Sequence, residues 1–186
     1  GFSRLTGSEY MTYGHASLIS AIQVACDKTV KRIAEKTGQH HDDTLLQVVV
    51  KDLNTQDGKP ASGHKTHGAG GKNVDLGYFY LNEGSPGHIE NQFINHKNLN
   101  WKPGEGGRVL AKKHPRWDLE SNWILTQELL AIPSVSQILV DKLYCVELEA
   151  KAAAFYTHPA LAARAKKVIQ WLGNHDNHFH LTVDPT

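Results

Sequence analysis

The segment NHDNHFHLTV, Asn174–Val183, places three histidines within six positions at the spacing H-x-x-H-x-H. That spacing, and the apolar alternation of Phe179, Leu181 and Val183, separate it from an affinity tag. In a strand, residues i and i+2 point to the same face. His178 and His180 therefore project together, with Phe179 turned to the opposite side. Two neighbouring imidazoles can share one site, one as a metal ligand and the other as a base or supporting group. By itself H-x-H fits a structural or solvated pair as well as a metal site. The chain carries 12 histidines among its 186 residues, an unusual share that directs attention to metal binding or proton transfer.

A second cluster strengthens the metal reading. SGHKTHGAGGKNVDLGYF, Ser62–Phe79, sets His64 and His67 in a glycine-rich loop ahead of Asp75. Aspartate is depleted in strands, and the stretch VDLGYF is otherwise apolar, so Asp75 needs a partner there. The glycines at 68, 70 and 71 allow the tight backbone path that would bring His67 and Asp75 together. Two imidazoles and one carboxylate, with a fourth position left for water, form the ligand pattern of a catalytic zinc site. Such a site supplies a nucleophile at neutral pH, because the pKa of the water falls toward about 7.

Four stretches, in order, resemble the penicillin-insensitive murein endopeptidases, within the wider group that joins lysostaphin, the D-alanyl-D-alanine carboxypeptidases and the hedgehog domain. YGHASLI at Tyr13–Ile19 is similar to an aromatic-Gly-His stretch opening the first helix. SGHKTHGAGGKNVD is similar to an H-x-x-H loop ending in Gly-x-x-x-Asp. VSQILVD resembles a strand before the closing helices, and HDNHFHLTV reproduces the H-x-x-H-x-H ending. Together these span Tyr13–Val183, although the intervening loops do not obviously match.

The resemblance implies an α+β fold, with a small, mainly antiparallel sheet carrying the zinc site and helices flanking it. It implies that His67, Asp75 and His180 ligate Zn2+. His178 would be the general base or the group that stabilises the tetrahedral intermediate, His175 a second catalytic-site histidine, and His64 a substrate-side residue of the same cleft. One departure stands out: seven residues separate His67 from Asp75 where the family usually has six. Gly71 to Asp75 keeps the family's glycine-to-aspartate distance, so the extra residue falls in Gly68-Ala69-Gly70 and His64 remains an alternative to His67. The implied activity is a zinc metallopeptidase that hydrolyses peptidoglycan cross-links, typically D-alanyl to diaminopimelate. Stem peptides of the wall would be its partners, an inhibitor or immunity partner is left open, and placement would be periplasmic or secreted. Alternatives are a D,D-carboxypeptidase, an L-alanyl-D-glutamate peptidase, or a zinc-binding domain of the same fold without catalysis.

The elements that must position these residues follow from periodicity. Between Ala16 and Lys36, the residues Leu18, Ile19, Ile22, Ala25, Cys26, Val30 and Ile33 recur at three- and four-residue steps, predicting an amphipathic helix stopped by Gly38. LLQVVV (Leu45–Val50), VDLGYFYL (Val74–Leu81), VSQILV (Val135–Val140) and the terminal HFHLTV have strand composition. Asp118 is placed to cap a helix through Trp123, Leu125, Leu129 and Leu130. Helical composition returns at Glu147–Phe155 and at Pro159–Leu172. Asn82–Pro115 has no sustained period and reads as a long polar loop, with Trp101, Arg108, Lys112 and Lys113 available to a ligand.

Composition bounds the rest. The length suits one domain over residues 1–186 with a sizeable core. A formal net charge of +1 argues against a nucleic-acid partner, which calls for a concentrated basic face. No apolar run approaches the roughly 20 residues of a membrane span. The opening GFSRLTGSEY carries no secretory pattern, which says little about location, since a trimmed start would look the same. Cys26 and Cys145 read as buried, inert thiols, with a disulfide between them as the alternative. His40 and His41 read as a polar turn, and His88, His96, His114 and His158 as surface residues. His15 is placed to cap the first helix or to pack beneath the site. Trp117, Trp123 and Trp171 read as packing residues.

Overall fold

A computed structural model of the chain describes residues 2–4, 14–40, 45–51, 53, 70–85, 87–93, 116–154, 159–173, 175 and 177–184. Among these, the strands are β1 (Phe2–Arg4), β2 (Val48–Lys51), β3 (Asn73–Leu81), β4 (Ile89–Gln92), β5 (Val135–Val140), β6 (Ile169–Trp171) and β7 (His178–Val183). The helices are α1 (Ala16–Thr37), α2 (Leu119–Leu130), α3 (Lys142–Ala154) and α4 (Pro159–Val168). The sheet runs β1-β2-β3-β7-β5-β6, with β4 also paired to β3. The β2–β3, β3–β4, β3–β7 and β5–β7 pairs are antiparallel, while β1–β2 and β5–β6 are parallel. The architecture is thus α+β with a mostly antiparallel sheet, and with seven described strands that sheet is larger than the small one expected.

Helix α1 forms where its stripe predicts. Leu18, Ala21, Ile22, Ala25, Cys26, Val30 and Ile33 are buried along one side, and Gly38 ends the helix in the left-handed conformation. The His15 ring takes the capping role at its start, with Nδ1 accepting from the Ser17 amide at 3.3 Å. Asp118 caps α2 by accepting from Ser121 N at 2.8 Å. At the other end of α2, Arg164 of α4 donates to the carbonyls of Leu130, Ile132, Pro133 and Val135. Those carbonyls lie at the end of the helix and in the turn after it, where the last backbone acceptors have no intrahelical donor.

Three amide side chains stitch β3 and β4 to their surroundings. Gln39, just past α1, pairs with both the N–H and the C=O of Ile89. Asn122 of α2 does the same with Phe79. Asn91 donates to Gly77 O and accepts from Val49 N, each at 2.8 Å. Buried backbone groups need such partners wherever a strand neighbour is missing.

Several sequence expectations change. Ile89–Gln92 is a strand inside the stretch expected to be loop, held by its pairing with Tyr78–Leu81. Helix α4 stops at Val168 after ten residues, and Ile169–Trp171 pairs in parallel with Ile138–Val140 instead of continuing the helix. Helix α3 begins at Lys142, earlier than composition suggested. Trp117 and Trp123 are buried as expected, but Trp171 is 43% exposed. Both cysteines are buried and unpaired with each other. No described helix is long and apolar enough to cross a membrane.

Candidate metal centre

The centre of the sheet is the β3–β7 ladder, in which Asp75 lies opposite His180 and Gly77 opposite His178. Strand alternation puts Asn73 and Asp75 on the same face of β3, and His178, His180 and Thr182 on the matching face of β7. The opposite face is apolar. There the Phe179 ring meets Tyr78 edge-on at 4.6 Å, and Tyr78 also contacts Trp117 and Tyr144.

Asp75 is 4% exposed and His180 1%, so each must be satisfied inside the protein. His180 Nδ1 lies 3.0 Å from Asp75 Oδ1, and His180 Nε2 lies 3.2 Å from Asn73 Oδ1. The Thr182 hydroxyl donates to that same Asn73 oxygen at 2.7 Å. His178 is the more open imidazole, its side chain 15% exposed against 2% for His180. Its Nε2 stands 3.6 Å from Asp75 Oδ1, beyond hydrogen-bond range, and its Nδ1 donates to Asn177 Oδ1 at 2.5 Å. The Phe93 ring stacks on His178 at 5.8 Å, and Lys51 Nζ of β2 lies over the Phe93 ring, 5.6 Å from its centroid.

His175 completes the group, with its ring 4.9 Å from that of His178 and 5.6 Å from that of His180. Its Nδ1 lies 3.1 Å from the carbonyls of both Leu172 and Gly173. Two acceptors at one nitrogen require that nitrogen to carry the proton, which makes Nε2 the lone-pair nitrogen of the neutral ring. Burial, with the charge of His180 second, lowers the His175 pKa and favours that neutral form. The segment is anchored by its own carbonyl, which accepts from Tyr78 Oη at 2.8 Å and from Asp141 N at 3.2 Å. Burial pushes the Tyr78 phenol well above its ordinary pKa and keeps it a donor.

At the entry to β3, His15 N donates to Gly71 O at 2.7 Å and Val183 N to Lys72 O at 3.0 Å. Gly71 has φ +67°, and a Cβ there would stand 2.8 Å from His15 N. The glycine thus lets α1 and the approach to Asp75 touch backbone to backbone.

The donor chemistry fits zinc. Nitrogen and carboxylate oxygen are ordinary zinc ligands, and two ligand atoms on tetrahedral zinc with bonds of about 2.0–2.1 Å sit about 3.3 Å apart. The Asp75–His180 separation of 3.0 Å is close to that. Among the described residues, no group of three or more His, Cys, Asp or Glu side chains is gathered to hold a metal. His64 and His67 lie outside the described residues.

The fold thus brings together Asp75, His175, His178 and His180. Sequence reasoning did not single out Asn73, Thr182, Phe93, Lys51 or Asn177. The one available signal was Asn73, which stands two residues before Asp75 and so shares its strand face. No protein-family model matches the chain, and no curated protein matches it.

Proposed function

We propose that this chain is a zinc-dependent hydrolase of the peptide cross-links of bacterial peptidoglycan. In this reading it has the hedgehog and D-alanyl-D-alanine-peptidase type of fold and is a relative of the penicillin-insensitive murein endopeptidases. The observation that carries the reading is the buried Asp75 carboxylate, with His180 Nδ1 at 3.0 Å and His178 Nε2 at 3.6 Å on the neighbouring strand. His67, Asp75 and His180 would hold the metal. When bound, zinc supplies a Lewis acid for the scissile carbonyl and a nucleophile at neutral pH.

The remaining work falls to side chains with distinct environments. His180 is the more enclosed imidazole, which suits a ligand, while His178 reaches the accessible side, which suits proton transfer. The Nδ1–H of His178 is held by Asn177, leaving Nε2 on the side of Asp75 as the proton acceptor of the neutral ring. The stack with Phe93 fixes the ring plane. His175, with its Nδ1 proton on two carbonyls, offers Nε2 as a second neutral acceptor. A carbonyl that gains negative charge is then stabilised by whichever imidazole has taken the proton.

A hydrolase of wall cross-links must act where the wall is, so the proposal places the protein in the periplasm or outside the cell. Its partners are stem peptides, typically with a D-alanyl–diaminopimelate bond. The test is a muropeptide mass profile of purified sacculi incubated with the protein, with and without a chelator. Chelator-sensitive loss of cross-linked dimers with a gain of monomers is expected. Unchanged dimers and monomers with a zinc-loaded protein would overturn the proposal.

A further inference from the structure

We propose that Asn73, locked by Thr182, is a positioning residue that holds the Nε2–H of His180 and so presents Nδ1 of that ring toward Asp75. This rests on the metal-site reading above and deepens it, because it says which nitrogen of His180 serves the metal and what fixes the choice.

The two ring nitrogens of His180 face different groups. Nδ1 faces the Asp75 carboxylate at 3.0 Å, and Nε2 faces Asn73 Oδ1 at 3.2 Å. A metal shared with Asp75 therefore has to be met by Nδ1, and Nε2 has to carry the proton. A histidine that binds metal through one nitrogen regularly donates the other N–H to an oxygen, which fixes ring orientation and raises ligand basicity. Asn73 Oδ1 provides that oxygen from a side chain 5% exposed.

An amide can present either oxygen or nitrogen to its neighbour, so something must set its orientation. Thr182 does this. Its hydroxyl donates to Asn73 Oδ1 at 2.7 Å, and the two residues are paired across β3 and β7 two register steps beyond Asp75 and His180, on the same face. The ladder that juxtaposes Asp75 with His180 thus also juxtaposes Asn73 with Thr182.

The test uses the full chain as wild type, Asn73→Leu, Asn73→Asp and Thr182→Val. Nitrogen-15 NMR of histidine-labelled protein, with and without zinc, reports whether His180 carries a slowly exchanging Nε2 proton. Competition against a chromophoric chelator reports the zinc dissociation constant, and thermal unfolding reports the fold.

The slowly exchanging Nε2 proton is expected in wild type and Asn73→Asp and lost in Asn73→Leu. Zinc affinity should fall about 10- to 100-fold in Asn73→Leu, the usual effect of removing such a partner. Asn73→Asp, which keeps an acceptor in place, should restore it, and Thr182→Val should lose several-fold. An Nε2 without that proton in folded, zinc-bound wild type, or unchanged zinc affinity in folded Asn73→Leu, would overturn the role of Asn73. A wild type that shows the protected Nε2 proton yet binds no zinc would overturn the proposed function, while the proton itself supports the Asn73 contact.

Discussion

Asp75 and His180 are 105 residues apart in the chain, yet they are Cα partners across two adjacent strands, with Oδ1 and Nδ1 3.0 Å apart. The placement is set by register. A slip of one residue in β7 would turn His178 and His180 to the apolar side and bring Phe179 against the carboxylate. The apolar contacts of Phe179 with Tyr78 oppose that slip, so the core and the polar centre specify the same alignment.

His178 should be separable from the ligands by function. His178→Ala is expected to retain zinc while the turnover of cross-linked muropeptides falls about 100- to 10,000-fold, the usual contribution of a general base. Zinc content and dimer cleavage, measured on one preparation, check this. Loss of zinc in that variant would move His178 into the ligand set.

Gly77 has room for no side chain. It stands opposite His178, and a Cβ there would collide with Asn91 Oδ1, whose amide bridges Gly77 O and Val49 N. Gly77→Ala should therefore displace Asn91 and break two buried hydrogen bonds, at about 1–2 kcal/mol each. Chemical denaturation should show a loss of about 2–4 kcal/mol on that basis.

Gly71→Ala should be costly for two reasons that add. A side chain at φ +67° carries a backbone penalty of about 1–2 kcal/mol, and its Cβ would press on His15 N and threaten the hydrogen bond to Gly71 O. Unfolding free energy should drop by about 2 kcal/mol or more. Because this contact leads directly into β3, zinc affinity should weaken as well.

Much of this arrangement was legible in the sequence wherever it depends on local pattern. The stripe of α1, its stop at Gly38, the Asp118 cap and the shared face of His178 and His180 all follow from residues within a turn or two of each other. What was not legible depends on pairing at a distance. Ile-Glu-Asn-Gln at 89–92 has no strand composition, and becomes β4 because Tyr78–Leu81 and the Gln39 amide take up its backbone. Ile169–Trp171 continues an apolar helical spacing, and only the parallel neighbour β5 turns it into a strand. Asn73 has no motif of its own. Its role emerges from Thr182, 109 residues away.

The cysteines give a simple test of the packing around α1 and α3. Cys26 is 0% exposed and Cys145 4%, and burial pushes the Cys145 thiol up to about 12 and that of Cys26 higher still. A chromogenic disulfide reagent at pH 8 should find no reactive thiol in the native protein and two after denaturation without reductant. Two thiols absent after denaturation would mean a disulfide.

The most direct test of the central claim is the zinc stoichiometry of purified protein after equilibrium dialysis, for wild type beside Asp75→Ala and His180→Ala. The account predicts about one tightly held zinc in wild type and loss of that binding in both variants. Full zinc retention in folded Asp75→Ala, or no zinc in wild type, would contradict it.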